Sequence, residues 1–165
     1  MTHQHTTISV AASGVDAIES AVAGLPIEVQ RLTTARGSVG FTSTTVGGLA
    51  VLAGEFGFPV STSGDVAGDA FVVALQLEQG VGSWNGAEFS LDRAWLYAPG
   101  SEHFGVGRAA DGGRPPRFAT VTLPWDTNYR DHAPGSISIV SDERVRALRR
   151  VVLDVTSADG DGGLG

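Results

Sequence analysis

The sequence predicts a mainly β fold, of the jelly-roll or barrel kind, with a short N-terminal helix and a C-terminal helix. Three observations predict it. Gly is abundant, at 23 of 165 residues, and with Pro and Asn it punctuates the chain about every eight to twelve residues, the rhythm of short strands. The segments between these turns are short and rich in Val, Phe, Thr and Trp, residues that suit a pleated, half-buried surface. Helical periodicity shows only near the two ends.

The elements follow in order. The chain is polar through Thr7, which predicts a frayed start. Ser13 to Ala23 carries Val15, Ile18 and Val22 at helical spacing, with Ser13 as N-cap and Gly24 and Pro26 as the stop. Ile27 to Leu32 alternates with period 2, and Ser38 to Val46 is a strand-tolerant run. Gly47-Gly48 supplies a two-residue hairpin turn into Leu49–Ala53. Pro59 to Asp69 reads as a loop, and Phe71 to Leu77 as the clearest strand. Ser83-Trp84 leads through Asn85-Gly86, a strong hairpin signal, into Glu88–Leu91. Ala94–Ala98 ends at Pro99-Gly100, Phe104–Val106 is a short strand, and Asp111–Pro116 is a loop. Phe118–Leu123 and Ile137–Val140 complete about eight strands. Ser141 then opens a helix over Asp142–Val155 whose apolar stripe is Val145, Leu148 and Val152. The Gly- and Asp-rich end from Ala158 reads as a linker. The chain therefore divides into a tail and short helix (1–24), a barrel (25–124), and a C-terminal strand, helix and linker-like end (125–165).

Composition removes several chemistries. There is no cysteine, so disulfides, zinc thiolates and thiol nucleophiles are excluded. All 11 basic side chains are Arg, so Schiff-base lysines and the P-loop are excluded as well. Eighteen acids bring the net charge to −7, which makes the chain a poor nucleic-acid binder by itself. No apolar run is long enough for a membrane helix and no basic-then-apolar leader opens the chain, so a cytoplasmic location is expected, with no membrane partner.

Candidate chemical groups are sparse. His3-Gln4-His5 has metal-pair spacing but lies before any expected strand, and His103 has no partner histidine on its hairpin. No metal site and no cofactor are expected. No Gly-x-Ser-x-Gly elbow is present, and Asp126, Asp131 and His132 cluster without a nucleophile, so no catalytic residue is assigned. Gly105-Val106-Gly107 lacks the third glycine and the helix of a dinucleotide loop. Arg144, Arg146, Arg149 and Arg150 form a basic helix, with Arg146 and Arg150 on one face opposite the apolar stripe, preceded by a strand where a groove-reading helix has a positioning helix. What remains is an aromatic set on the central strands. It comprises Phe71, Trp84, Phe89, Trp95, Tyr97, Phe104 and Phe118, and a small barrel either fills its interior with such rings or leaves room for one small ligand. Trp84, Trp95, Tyr97 and Phe118, with His103, are the candidate ligand-binding residues.

The run Trp84 to His103, with its strand, Asn85-Gly86 turn, Asp92-Arg93 corner, apolar strand and Gly100-Ser101-Glu102-His103 turn, resembles the central hairpin of a cupin barrel. Together with Phe71–Leu77 before it and Phe118–Leu123 after it, the stretch from Pro26 to Pro124 resembles the N-terminal cupin-like ligand-binding domain of AraC/XylS-type transcription regulators. Two departures stand out. Asp92-Arg93 replaces the usual Gly-Asp corner, and the first cupin motif, His-x-His with Glu, is missing. The resemblance implies a small-molecule effector and a homodimer, with Val145, Leu148 and Val152 as the dimerisation stripe. It implies DNA binding only through a helix-turn-helix region that this chain does not contain. It implies no enzyme activity. The alternative is a small cupin-family enzyme or a stand-alone ligand-binding cupin.

Overall fold

The structure, a computed structural model, describes residues 4–11, 27–33, 37–126 and 131–157. Its strands are β1 (Gln4–Ala11), β2 (Ile27–Arg31), β3 (Ser38–Val46), β4 (Leu49–Phe56), β5 (Val60–Asp65) and β6 (Ala70–Glu78). They continue with β7 (Val81–Trp84), β8 (Ala87–Glu88), β9 (Ala94–Tyr97), β10 (Glu102–Arg108), β11 (Arg117–Pro124) and β12 (Ile137–Val140). One helix follows, α1 (Glu143–Ser157).

The strands form two antiparallel sheets. Seven make the order β1-β3-β4-β11-β6-β9-β12, and five make the order β2-β5-β10-β7-β8. Among the described residues no ladder joins one sheet to the other, so the shell is two facing sheets and not the closed barrel expected from the sequence. The tight turns follow their chemistry. Gly47 and Gly48 have φ of 58° and 85°, and Asn85 and Gly86 have 47° and 80°, the all-positive pattern of a type I′ hairpin.

Pairing register sorts the large sheet into two faces. Leu52, Thr120, Ala74 and Trp95 stand in one row across β4, β11, β6 and β9, and Ala50, Thr122, Val72 and Tyr97 in the next. These rows face the small sheet. The alternate rows hold Val51, Val121, Val73 and Leu96, then Ala53, Ala119, Leu75 and Ala94, and face outward. Helix α1 covers that outer face. Val152, with Leu148 and Leu153, packs on Val51, Ala53, Leu75, Leu77, Ala119 and Val121.

Several expectations change. The polar start is strand β1 through Gln4–Ala11, because it finds a full ladder with β3 from Gln4↔Thr45 to Ala11↔Ser38. The supposed loop at 59–69 contains β5, whose Ser, Thr and Gly composition hides a strand paired on both sides by β2 and β10. Helix α1 begins at Glu143 with Asp142 as its cap: Asp142 Oδ1 accepts from the N–H groups of Arg144 (2.8 Å) and Val145 (3.2 Å). The predicted helix at Ser13–Ala23 lies outside the described residues. Most consequential is the stripe assigned to dimerisation. Val145 and Val152 are buried, and Val152 and Leu148 rest on the chain's own sheet. These side chains are already spent within one protomer and are not free for a subunit interface. Arg149, one of the four arginines of the basic helix, donates from Nη2 to the Leu77 carbonyl at 2.6 Å and fastens the helix to β6. Among the described residues no helix is long and apolar enough to cross a membrane.

Burial of Val152 makes a direct test possible. Val152→Asp puts a carboxylate into the dry layer between α1 and the sheet, so urea denaturation should show a loss of about 3 kcal/mol or more. Val151 is 58% exposed on the same helix, and Val151→Asp should stay within about 0.5 kcal/mol of the parent. Equal losses at the two positions would contradict the docking of α1.

Candidate functional site

Between the sheets lies a cavity of about 190 Å³. Its walls come from both. Val72, Ala74, Thr120, Thr122 and Phe118 belong to the large sheet, and Val29, Val60, Thr62, Trp84 and His103 to the small one. A group of phenylalanines lines one part of it. Phe41 meets Phe56 edge-on at 5.7 Å, and Phe56 stacks on Phe118 at 5.7 Å. Gly54 permits this, since it stands opposite both Phe41 and Phe118 in the ladders. A Cβ there would come within 2.6 Å of Phe41 Cε1 and 2.7 Å of Phe118 Cζ.

Through Phe118 the aromatic array continues to Trp84. Its indole meets Phe89 at 5.2 Å, Trp95 at 5.0 Å, His103 at 5.9 Å and Phe118 at 6.1 Å, all edge-to-face. Gly105, opposite Trp84 in the β7–β10 ladder, makes room for the ring, because a Cβ would stand 2.3 Å from Trp84 Cδ1. Trp95 is wholly buried behind it and donates from Nε1 to the Trp84 carbonyl at 3.0 Å.

A chain of polar groups crosses this apolar array, and its proton positions follow from its fixed members. Asn85 Nδ2 donates to the Glu102 carbonyl (2.9 Å) and Asn85 Oδ1 accepts from the Phe104 N–H (3.4 Å), which sets the amide orientation. Asn85 Oδ1 therefore accepts the single hydroxyl proton of Tyr97, at 2.8 Å. Tyr97 has no second proton to give, so at the 3.0 Å contact His103 Nδ1–H donates to the Tyr97 oxygen. His103 Nε2 then carries a lone pair, and Thr62 Oγ1–H donates to it at 2.9 Å. Burial opposes charge along the whole chain. It raises the Tyr97 pKa well above the usual phenol range and pushes His103 down to about 4.

Of the residues singled out from sequence, Trp84, Tyr97, His103 and Phe118 line the cavity together. Trp95 supports it from behind and does not line it. The sequence reading missed Thr62, Thr120 and Thr122. The last two sit at alternate positions of β11, on the face turned toward the cavity. Their alternation with Ala119, Val121 and Leu123 was the available signal, but a polar face on a strand ordinarily points to water. Asp126 and Asp131 are exposed, while the His132 ring lies 5.2 Å from Phe71, which also stacks on Trp125 at 6.1 Å. Phe71 belongs to the outward rows, so this cluster lies away from the cavity. Among the described residues no group of three or more His, Asp or Glu is placed to hold a metal ion. No protein-family model matches the chain, and no curated protein matches it in sequence.

The buried imidazole predicts an acid-sensitive fold. His103 titrates at about 4 when folded and near 6.5 when unfolded. Between those values the unfolded chain binds more protons, so its contribution to stability is whole above about pH 6.5 and is lost as pH falls toward 4. On the order of 2–3 kcal/mol should disappear across that window in urea melts, and His103→Gln should flatten the slope. An NMR titration that places His103 near 6.5 would contradict the burial argument.

Proposed function

We propose that this chain is the effector-binding domain of an AraC-type transcription regulator, a cupin-like jelly roll that takes up a small molecule and performs no reaction on it. DNA contact belongs to a helix-turn-helix region not contained in this chain. The observation that carries the reading is the cavity of about 190 Å³ between the sheets, bounded by the same hairpin, Trp84 to His103, on which the resemblance rests. A filled core would place Val or Leu at inward positions such as 120 and 122. The threonines there give that wall hydroxyls that a partly polar guest can use.

The mechanism is linkage. A guest that binds one arrangement of the two sheets better than another shifts the population toward it. Dimerisation stays part of the proposal, but through a surface other than the stripe Val145, Leu148 and Val152, since Val145 is buried and Val152 with Leu148 packs on the chain's own sheet.

A thermal-denaturation screen against a broad panel of small apolar and aromatic compounds tests the reading. A true guest at 100 times its dissociation constant should stabilise the fold by about 2.7 kcal/mol. Val72→Trp, which fills the cavity from the β6 wall, should retain the fold by circular dichroism and lose that response. A panel without a single hit, or a response that survives Val72→Trp, would reject an effector-binding cavity.

A further inference from the structure

The polar chemistry of the cavity narrows its guest, on the premise that the cavity binds an effector at all. Three features matter: what charges face it, what hydrogen-bonding groups face it, and how large it is.

Charge is the first. The chain has no lysine, and no arginine lines the cavity among the described residues. The carboxylate of Asp65, itself exposed, is the formal charge on the described walls. An anionic guest would surrender its hydration and meet no cation, and transfer of an unpaired carboxylate out of water is severely unfavourable. His103 does not supply the missing charge, because its burial keeps it neutral.

Hydrogen bonding is the second. The proton order Thr62 to His103 to Tyr97 to Asn85 uses the Thr62 proton on His103 Nε2 and leaves the Thr62 oxygen lone pairs facing the cavity as acceptors. Thr120 and Thr122 present hydroxyls from the opposite sheet, with no hydrogen bond to another described residue. Apart from the exposed carboxylate of Asp65, the described walls therefore hold an acceptor at Thr62 and two uncommitted hydroxyls, set among Phe41, Phe56, Phe118 and Trp84.

Size is the third. An engineered cavity of about 150 Å³ in another protein accommodates benzene. A cavity of about 190 Å³ has room for one ring with one or two further heavy atoms.

We infer that the guest is an uncharged one-ring aromatic compound bearing a hydroxyl, whose O–H donates to Thr62 Oγ1 while its ring packs among Phe41, Phe56, Phe118 and Trp84. The hydroxyl sets the orientation and the rings supply most of the affinity. Carboxylates of the same size are excluded.

Isothermal titration of the unmodified chain with three matched probes tests this. The probes are p-cresol, p-xylene (with methyl in place of hydroxyl) and p-toluate. One added hydrogen bond should make p-cresol bind roughly threefold to tenfold more tightly than p-xylene. No binding of p-toluate is expected. Thr62→Val should bring the ratio of the two affinities close to one, and Thr62→Ser should preserve it. Equal or tighter binding of p-xylene, or an unchanged ratio in Thr62→Val, would overturn the hydroxyl assignment. Preferential binding of p-toluate would overturn the neutral class. If none of the three binds while another compound of the broad panel does, the inference fails and the effector-binding reading survives. If nothing in that panel binds, both fail.

Discussion

The indole of Trp84 is the contact on which the interior depends. It starts from the small sheet and meets Phe118 and Trp95 of the large one, so it fixes how the sheets sit against each other there. Its position has two conditions. Gly105 must lack a side chain, and the Trp84 carbonyl must receive the Trp95 N–H. With the indole set, His103 is held edge-on against it and within reach of Tyr97 and Thr62. Through Phe118 the contact continues to Phe56 and Phe41, with Gly54 as the enabling gap. The space beside this aromatic array is left open because its walls there are small: Ala74, Gly64 and three threonines.

The polar relay fits this arrangement. A tyrosine and a histidine on adjacent strands of opposite sheets are costly to bury unless each proton has a place to go. Here every proton does, and Asn85, at a hairpin turn with φ of 47°, anchors the direction of the whole sequence of bonds. One residue thus serves two purposes. It takes the left-handed conformation that the tight turn requires, a role asparagine tolerates better than most residues, and it supplies the amide that orients Tyr97.

Much of the fold was legible from the chain. The Gly-Gly and Asn-Gly hairpins, the β6 and β11 strands and the C-terminal helix all carry strong local signals, and local signals suffice where turn chemistry and periodicity agree. β5 was illegible because Val60–Asp65 has strand pairing on both edges but small, polar side chains. β1 was illegible because its order comes from β3, far along the sequence. Four of the five aromatic and histidine candidates line the cavity, whereas Phe71 on the outward rows and Phe104, which is exposed, show that a ring on a central strand does not by itself fix the side it faces. The threonines escaped notice for the opposite reason: a hydroxyl on a strand is cheap at a surface and carries meaning only once its side of the sheet is known. The stripe on α1 was seen correctly as apolar, yet periodicity says that a face is covered and not by what.

Strand β11 belongs to two compartments at once. Even-numbered positions 120 and 122 look into the hollow, while Ala119 and Val121 form the bed of the helix. Because a strand's side chains alternate strictly, inserting or deleting a single residue there would exchange the two sets, sending hydroxyls beneath α1 and methyl groups into the chamber. Parity therefore ties guest recognition to helix docking, and evolution can retune either one only by substitution in place, never by sliding the strand.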